Sequence, residues 1–339
     1  MHLRRDRYGT AYLQRLTDGY NLFLKFLLYM NISWSSVAGA SARVVDRVLI
    51  EFVQWCYDCS LTLGAATHGV LSIQHKLHMK RQLSEAWESI RTWKTEEPPS
   101  TRTPFSVYIL KAVLLYCMST GLRYAGRDRA LYFGAMICFR LGFFGLLRPA
   151  EIIDLLVHQL GFPDSLLLGG GSALVILISR PKTRRYLGRR QFSLVDDDDT
   201  VSWVRWFCQG LSKEERVFPG DGAELRRILK EALEFYGLDS LGLTLASLRT
   251  GGATYFFRRD QNLGKLQFMG RWRQPVTLQH YLQEGMSAHI LASLSAETEL
   301  LLRSLAPRLR KIERPPLVAA PVLLPWRRVR DDAGAKTGR

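Results

Sequence analysis

Cysteine is scarce in this chain of 339 residues: Cys56, Cys59, Cys117, Cys138 and Cys208 make an odd count of five. Three of them sit inside apolar stretches, where a thiol packs as a small hydrophobe. That usage excludes a disulfide scaffold and points to a reducing compartment. Cys56 and Cys59 form a C-x-x-C pair, but no second pair follows at zinc-finger spacing, and His68 alone leaves a metal short of ligands. No metal site is expected. Long uninterrupted apolar runs are missing as well. The stretch from Tyr20 to Met30 contains Lys25, and the one from Leu131 to Leu147 carries Arg140 near its centre. A buried helix, not a membrane span, is expected there. No internal repeat is visible. The expected location is intracellular, and nuclear in a eukaryote.

Negative charge is also in short supply. Asp and Glu number 31 against 47 Lys and Arg, giving a formal charge of +16 and a pI of about 9.9. The excess is uneven: +3 over residues 1–100, +6 over 101–302 and +7 over 303–339. Lys and Arg that neutralise phosphates release counterions from nucleic acid, so a polyanionic partner is favoured, nucleic acid first; membrane surfaces are polyanions too, but no membrane partner is expected. At 47% hydrophobic and 23% charged, the composition excludes collagen-like and wholly disordered chains. There is material for two medium cores.

The order of segments suggests where those cores lie. Residues 20–93 read as helices: in "RVVDRVLIEFVQWCYD", Val45, Val48, Leu49, Phe52 and Val53 recur at spacings of three and four, one apolar face. "TEEPPSTRTP", residues 95–104, holds three prolines and breaks the pattern. Helical periodicity resumes at Phe105. Then a β-branched run, Leu174 to Ile178, and "QFSLV" flank a basic connection, which reads as two strands of a hairpin. From Thr200 onward the pattern is helical again, with Ala288 to Leu305 as a further amphipathic helix. Asp196 to Asp199 are expected to cap a helix N-terminus rather than hold a metal. The expected fold is mainly α with a small antiparallel β-sheet (α+β): a helical N-terminal domain over 1–94, a second domain over 105–305, and a basic, proline-rich, largely unstructured tail over 306–339. "PWRRVR" in that tail fits a nuclear address, a DNA-binding arm or a solvated tail equally.

Three strings in the second domain could carry chemistry. In "FGLLRPAEIIDLL", Arg148 and Glu151 are three apart and share a helix face. "SRPKTRRYLGRR" places six cationic residues between the two strands. The third is "TLASLRTGGATYFFRRDQNLGKLQFMGRWRQPVTLQHYLQE", in which Arg249, Trp272 and Tyr281 stand in order, Trp272 nine residues before Tyr281.

Together these strings resemble the tyrosine recombinase (phage integrase) family of DNA breaking-rejoining enzymes, from about residue 40 to 300. "LLRPAEI" resembles that family's "G-L-R-x-x-E" helix start, Lys182 in "PKTRR" its hairpin lysine, and "ASLR" its "H-x-x-R" motif with Arg249 as the arginine. "SLRTGGATY" and "GRW" particularly resemble recombinases of eukaryotic mobile elements. One position departs: the histidine falls on Ala246, which can neither exchange a proton nor bond a phosphate.

The resemblance implies a SAM-like core-binding domain before the proline segment and a catalytic domain after it. It implies site-specific recombination or integration through a 3′-phosphotyrosine, with Arg148, Lys182, Arg249, Trp272 and Tyr281 as catalytic residues. The two arginines would hold the phosphate oxygens, Lys182 would protonate the leaving 5′ oxygen, Trp272 would donate its indole N–H, and Tyr281 would attack phosphorus. No cofactor, ATP or metal is implied. Arg184, Arg185, Arg189 and Arg190 on the hairpin, with Arg271 and Arg273, would contact backbone phosphates of double-stranded DNA. Self-association into a tetrameric synapse on DNA is implied too. His280 is no substitute for the missing base, since neighbours on a helix point about 100° apart. Two alternatives stay open: a DNA-binding protein descended from a recombinase but no longer cutting, for which Ala246 speaks, and a nicking-closing topoisomerase.

Overall fold

The computed structural model describes residues 9–97, 102–162, 173–179, 181, 188, 190–279 and 281–315. Two compact units divide the chain, Met1–Ser100 and Thr101–Arg339.

The first unit holds α1 (Thr10–Tyr29), α2 (Trp34–Ala38), α3 (Ala42–Asp58), α4 (Leu63–Lys76) and α5 (Ser84–Glu96). The apolar face of α3, with Val45, Leu49, Phe52, Val53 and Cys56 buried, meets Phe23 and Phe26 of α1 and Val70 and Ile73 of α4 in one core. Asp46 brings a charged group into it. Its carboxylate accepts from the backbone N–H groups of Glu85 and Ala86 at 3.1 and 2.9 Å, supplying from α3 the cap that Leu83 cannot give α5. Burial, with a smaller push from Cys59, raises the Cys56 thiol to about 12, and all five thiols are free.

The second unit is built round α7 (Gly126–Phe144), which is buried without a break from Ala130 to Phe144. A helix apolar on every face runs through a core. Among the described residues no helix is long and apolar enough to cross a membrane. Packed on α7 are α6 (Val107–Arg123), the short α8 (Pro149–Ile153), α9 (Asp198–Cys208), α10 (Gly222–Phe235) and α11 (Leu245–Asp260). The approach of α11 is close enough to demand glycine. A Cβ on Gly252 would stand 2.0 Å from the Phe143 carbonyl oxygen, and one on Gly251 2.2 Å from that of Phe105. The charge inside the core, Arg140, is answered by the Ile312 carbonyl, by Thr200 Oγ1 at 3.4 Å and by Asp197 at 4.0 Å. Trp203 Nε1 donates to the same Ile312 carbonyl at 2.7 Å.

A three-stranded antiparallel sheet, β1 (Leu160–Gly161), β2 (Leu174–Ile178) and β3 (Gln191–Val195), lies in that order. Its hairpin pairs Leu174 with Val195 through to Ile178 with Gln191. Alternate residues of β3 face inward, and Ser193 Oγ donates to the Gly145 carbonyl at 2.6 Å, tying the sheet to the end of α7.

The expected fold class is observed, with differences in detail. β1 was not expected, because two residues give no periodicity to read. Ala288 to Leu305 is not one helix but parts of two, α14 (Glu284–Ala292) and α15 (Ala296–Ser304) in the order used here, with α12 (Leu263–Gly270) and α13 (Pro275–Gln279) before them. The break follows from Ser295, whose hydroxyl caps the second helix by accepting from the Thr298 N–H at 3.1 Å. Ordered structure also runs past residue 305. The short α16 (Ala306–Leu309) and a 3₁₀ turn, Arg310–Ile312, bury Leu309 and Ile312, because Arg140 and Trp203 need the Ile312 carbonyl. Asp197 caps α9 as expected, accepting from the Thr200 N–H at 2.9 Å, with Asp198 and Asp199 in the first turn.

Candidate active site

The site begins where α7 stops. Gly145 ends the helix, and Leu146 takes a left-handed backbone, φ +49°, that few non-glycine residues adopt. Two residues later Arg148 is the N-cap of α8, with Pro149 at the first helical position, where its fixed φ and missing N–H do no harm. Glu151, three residues on, folds back: Oε2 accepts the Arg148 N–H at 2.9 Å and Oε1 accepts Arg148 Nη1 at 2.7 Å.

Arg249 enters from the first turns of α11 and is 2% exposed. Its guanidinium donates to the carbonyls of Leu146 and Gly270. Its central carbon lies 4.4 Å from the Trp272 ring centroid and 5.7 Å from that of Tyr281, and the two rings are 5.0 Å apart. Gly270 is what lets Trp272 lie there: a Cβ would fall 1.5 Å from the indole. Tyr281 sits in the turn after α13, not on a helix, and is half-buried. Thr254, one face of α11 along from Arg249, fixes that turn, with Oγ1 3.1 Å from the Tyr281 carbonyl oxygen and 3.2 Å from the Gln283 N–H it accepts.

Arg271 is a third cation in the same place. It ends α12 in a left-handed conformation, φ +58°, which turns its side chain inward. Nη2 reaches Glu151 Oε2 at 3.0 Å and the Leu146 carbonyl at 3.2 Å. Two guanidiniums, those of Arg148 and Arg271, therefore share one carboxylate, and Arg271 shares the Leu146 carbonyl with Arg249. Burial would raise Glu151, but Arg271 and both the N–H and guanidinium of Arg148 outweigh it and hold the carboxyl below its usual range. Burial, with the like charges of Arg148 and Arg271, pushes Arg249 down to about 9.

Donors outnumber acceptors. Arg249 Nε, Arg271 Nε, Arg271 Nη1 and Trp272 Nε1 are buried without a hydrogen-bond partner among the described residues. A buried N–H left unfilled is costly, so the arrangement suits an oxyanion that supplies the missing acceptors. Arg148 is the edge of the cluster nearest solvent, 20% exposed, and borders an open cavity of about 510 Å³ lined also by Gln159, Ile178, Ser179 and Arg216. Ile178 ends β2 and Ser179 follows it.

No protein-family model matches the chain, and no curated protein matches it by sequence. Solved structures do. The chain is similar to the Tn1549 transposon integrase in complex with transposon right-end DNA, at TM-score 0.51 and 10% identity over 86% of this chain and 99% of that one. It is also similar to the XerH site-specific recombinase bound to a palindromic difH substrate in a post-cleavage complex, at TM-score 0.50 and 12% identity over 78% and 74%. The fold is that of a site-specific recombinase.

Within this recombinase fold, Arg148, Arg249, Trp272 and Tyr281 come together from four separate stretches of chain. Lys182, Arg184, Arg185, Arg189 and His280 lie outside the described residues. Arg190 and Arg273 are exposed, whereas Arg271, grouped by sequence with them, is buried in the pocket. Ala246 is half-buried one helical turn before Arg249. Sequence reasoning named Arg271 only as a backbone contact and missed the Leu146 carbonyl and Thr254.

Proposed function

We propose that this protein binds double-stranded DNA and carries out site-specific recombination or integration, cutting and rejoining strands through a 3′-phosphotyrosine on Tyr281. The observation that carries the reading is the pocket in which Arg148, Arg249 and the unfilled indole N–H of Trp272 gather beside Tyr281. A phosphodiester resists attack because it is anionic, and a phenol with a pKa of about 10 is a weak nucleophile at neutral pH. Buried guanidiniums ease both difficulties, since their attraction grows as charge develops at phosphorus. Tyr281 Oη forms the bond to phosphorus and the bond to the 5′ oxygen breaks. Lys182 gives the departing oxygen its proton, and the phenolic proton, with no side-chain base at Ala246, leaves to water. The bond energy is retained in the phosphotyrosine, so a 5′-hydroxyl can reverse the step without a nucleotide or a metal.

The net charge of +16 and the DNA in the similar structures support duplex DNA as partner. Exposed Arg190 and Arg273, with the hairpin arginines Arg184, Arg185 and Arg189, would hold backbone phosphates. Four protomers on two duplexes would complete recombination, and "SLRTGGATY" with "GRW" supports a mobile-element source.

The test is a nicked suicide duplex carrying candidate target DNA, incubated without metal or ATP. A protein-DNA adduct on a denaturing gel, absent with Tyr281→Phe, is expected; an adduct undiminished in that variant would refute the reading. Ala246 favours a second reading, a recombinase-derived DNA-binding protein that no longer cuts. Salt-sensitive duplex binding with no adduct across several targets would support it.

A further inference from the structure

We propose that Arg271 is a third arginine contacting the reacting phosphate, a catalytic residue alongside Arg148 and Arg249 rather than a surface contact that merely holds DNA. This rests on the phosphodiester chemistry proposed above and adds a residue to it.

The first support is placement. The Arg271 side chain is 5% exposed, and its guanidinium shares the Leu146 carbonyl with Arg249 and the Glu151 carboxylate with Arg148. It is thus within one hydrogen-bond acceptor of both arginines. A surface arginine that tracks the DNA backbone needs no such enclosure.

The second support is what its donors lack. Only Nη2 is engaged, while Nε and Nη1 are buried and unfilled among the described residues. Arg249 Nε and Trp272 Nε1 are unfilled beside them. If Arg271 served only to neutralise Glu151, it would be redundant, because Arg148 already does so at 2.7 Å.

Charge is the third. Three guanidiniums less one carboxylate leave two positive charges in a pocket where the side chains of Arg249, Arg271 and Glu151 are buried and Arg148 borders solvent. Attack of a phenolate on a phosphodiester monoanion builds a pentavalent species with two negative charges, which this excess matches. Binding would exchange the Leu146 and Gly270 carbonyls for phosphate oxygens.

The experiment compares full-length wild type, Arg271→Met and Arg271→Lys. Arg271→Met at saturating protein should form the Tyr281 adduct about 10²- to 10³-fold more slowly, as expected for loss of one transition-state donor, with duplex affinity within about threefold of wild type. Arg271→Lys should recover only part of the rate, because an ammonium lacks the planar fork. A methylphosphonate at the scissile position, which removes one negative charge, should relieve the defect of Arg271→Met. If the variant instead lost affinity and about one unit of salt slope, with its saturated rate normal, Arg271 would be a holding contact and the proposal wrong. A defect that methylphosphonate leaves untouched would make it a support for Glu151 only, which also overturns the proposal. The probe that does not depend on cutting is orthovanadate. It should raise the melting temperature of wild type, relative to chloride at equal ionic strength, and not that of Arg271→Met. An equal rise in both, or none in either, rejects the proposal. Failure of the cutting reading is seen separately, as a wild-type adduct absent or independent of Tyr281.

Discussion

Glu151 is a single carboxylate that orients two guanidiniums, Arg148 and Arg271, while accepting a backbone N–H. Glu151→Gln keeps the shape but leaves buried positive charge unanswered. A loss of about 3–5 kcal/mol in urea unfolding is expected, the usual result of removing one partner from a buried pair. Its pH dependence has a definite sign. A carboxyl held below its ordinary 4.5 contributes stability that is complete above that value and is lost as pH falls through the lower folded value. The wild type should therefore show an acid limb below about pH 4.5 that Glu151→Gln flattens. Gly270→Ala tests the indole's seat: overpacking should cost about 1–3 kcal/mol and shift the tryptophan near-ultraviolet circular dichroism. At Ala246, introducing histidine should speed adduct formation at least tenfold if a proton acceptor is what the pocket lacks, a general-base contribution being typically 10²- to 10⁴-fold; an unchanged rate would count against that placement. Arg148 and Glu151 were legible through the resemblance of "LLRPAEI" to the family's helix start; their spacing alone gave only a shared helix face. Arg271 was not, because its inward turn depends on a left-handed backbone that no periodicity reveals.

Among the elements, those with long or strongly patterned sequences could be read directly. The face of α3 and the β2–β3 hairpin match their sequence bounds, and α7 proved a core helix despite Arg140. What escaped was set by tertiary contacts. The helix break before Ser295 rests on one hydroxyl cap, and the docking of residues 306–312 on a carbonyl shared by Arg140 and Trp203. Truncation separates these views. The reference is the chain ended after residue 315, the last one described. Ending it after residue 305 removes buried Leu309 and Ile312 and strips Arg140 of its main acceptor. A loss of several kcal/mol is expected, since a buried charged donor left unmet costs at least about 1–3 kcal/mol beyond the lost apolar contacts.

For the whole molecule, charge and the proline break were the readable features, and they bear on partner and organisation. Duplex binding should weaken steeply with salt, and replacing any one of Arg184, Arg185, Arg189 or Arg190 by Ala should reduce the salt slope by about one without altering sequence preference. The recombinase fold itself could not be read from composition; it came from the order of short motifs, and it is carried by packing on α7 that brings distant motifs to one pocket. The central claim is that Tyr281 is the residue that joins to DNA there. Mass spectrometry of the protease-digested adduct tests it most directly. The linked nucleotide should lie on Tyr281, within the peptide that follows Arg273, through a bond of phosphotyrosine stability. Linkage to any other residue, or DNA that is cut without becoming linked, would contradict it.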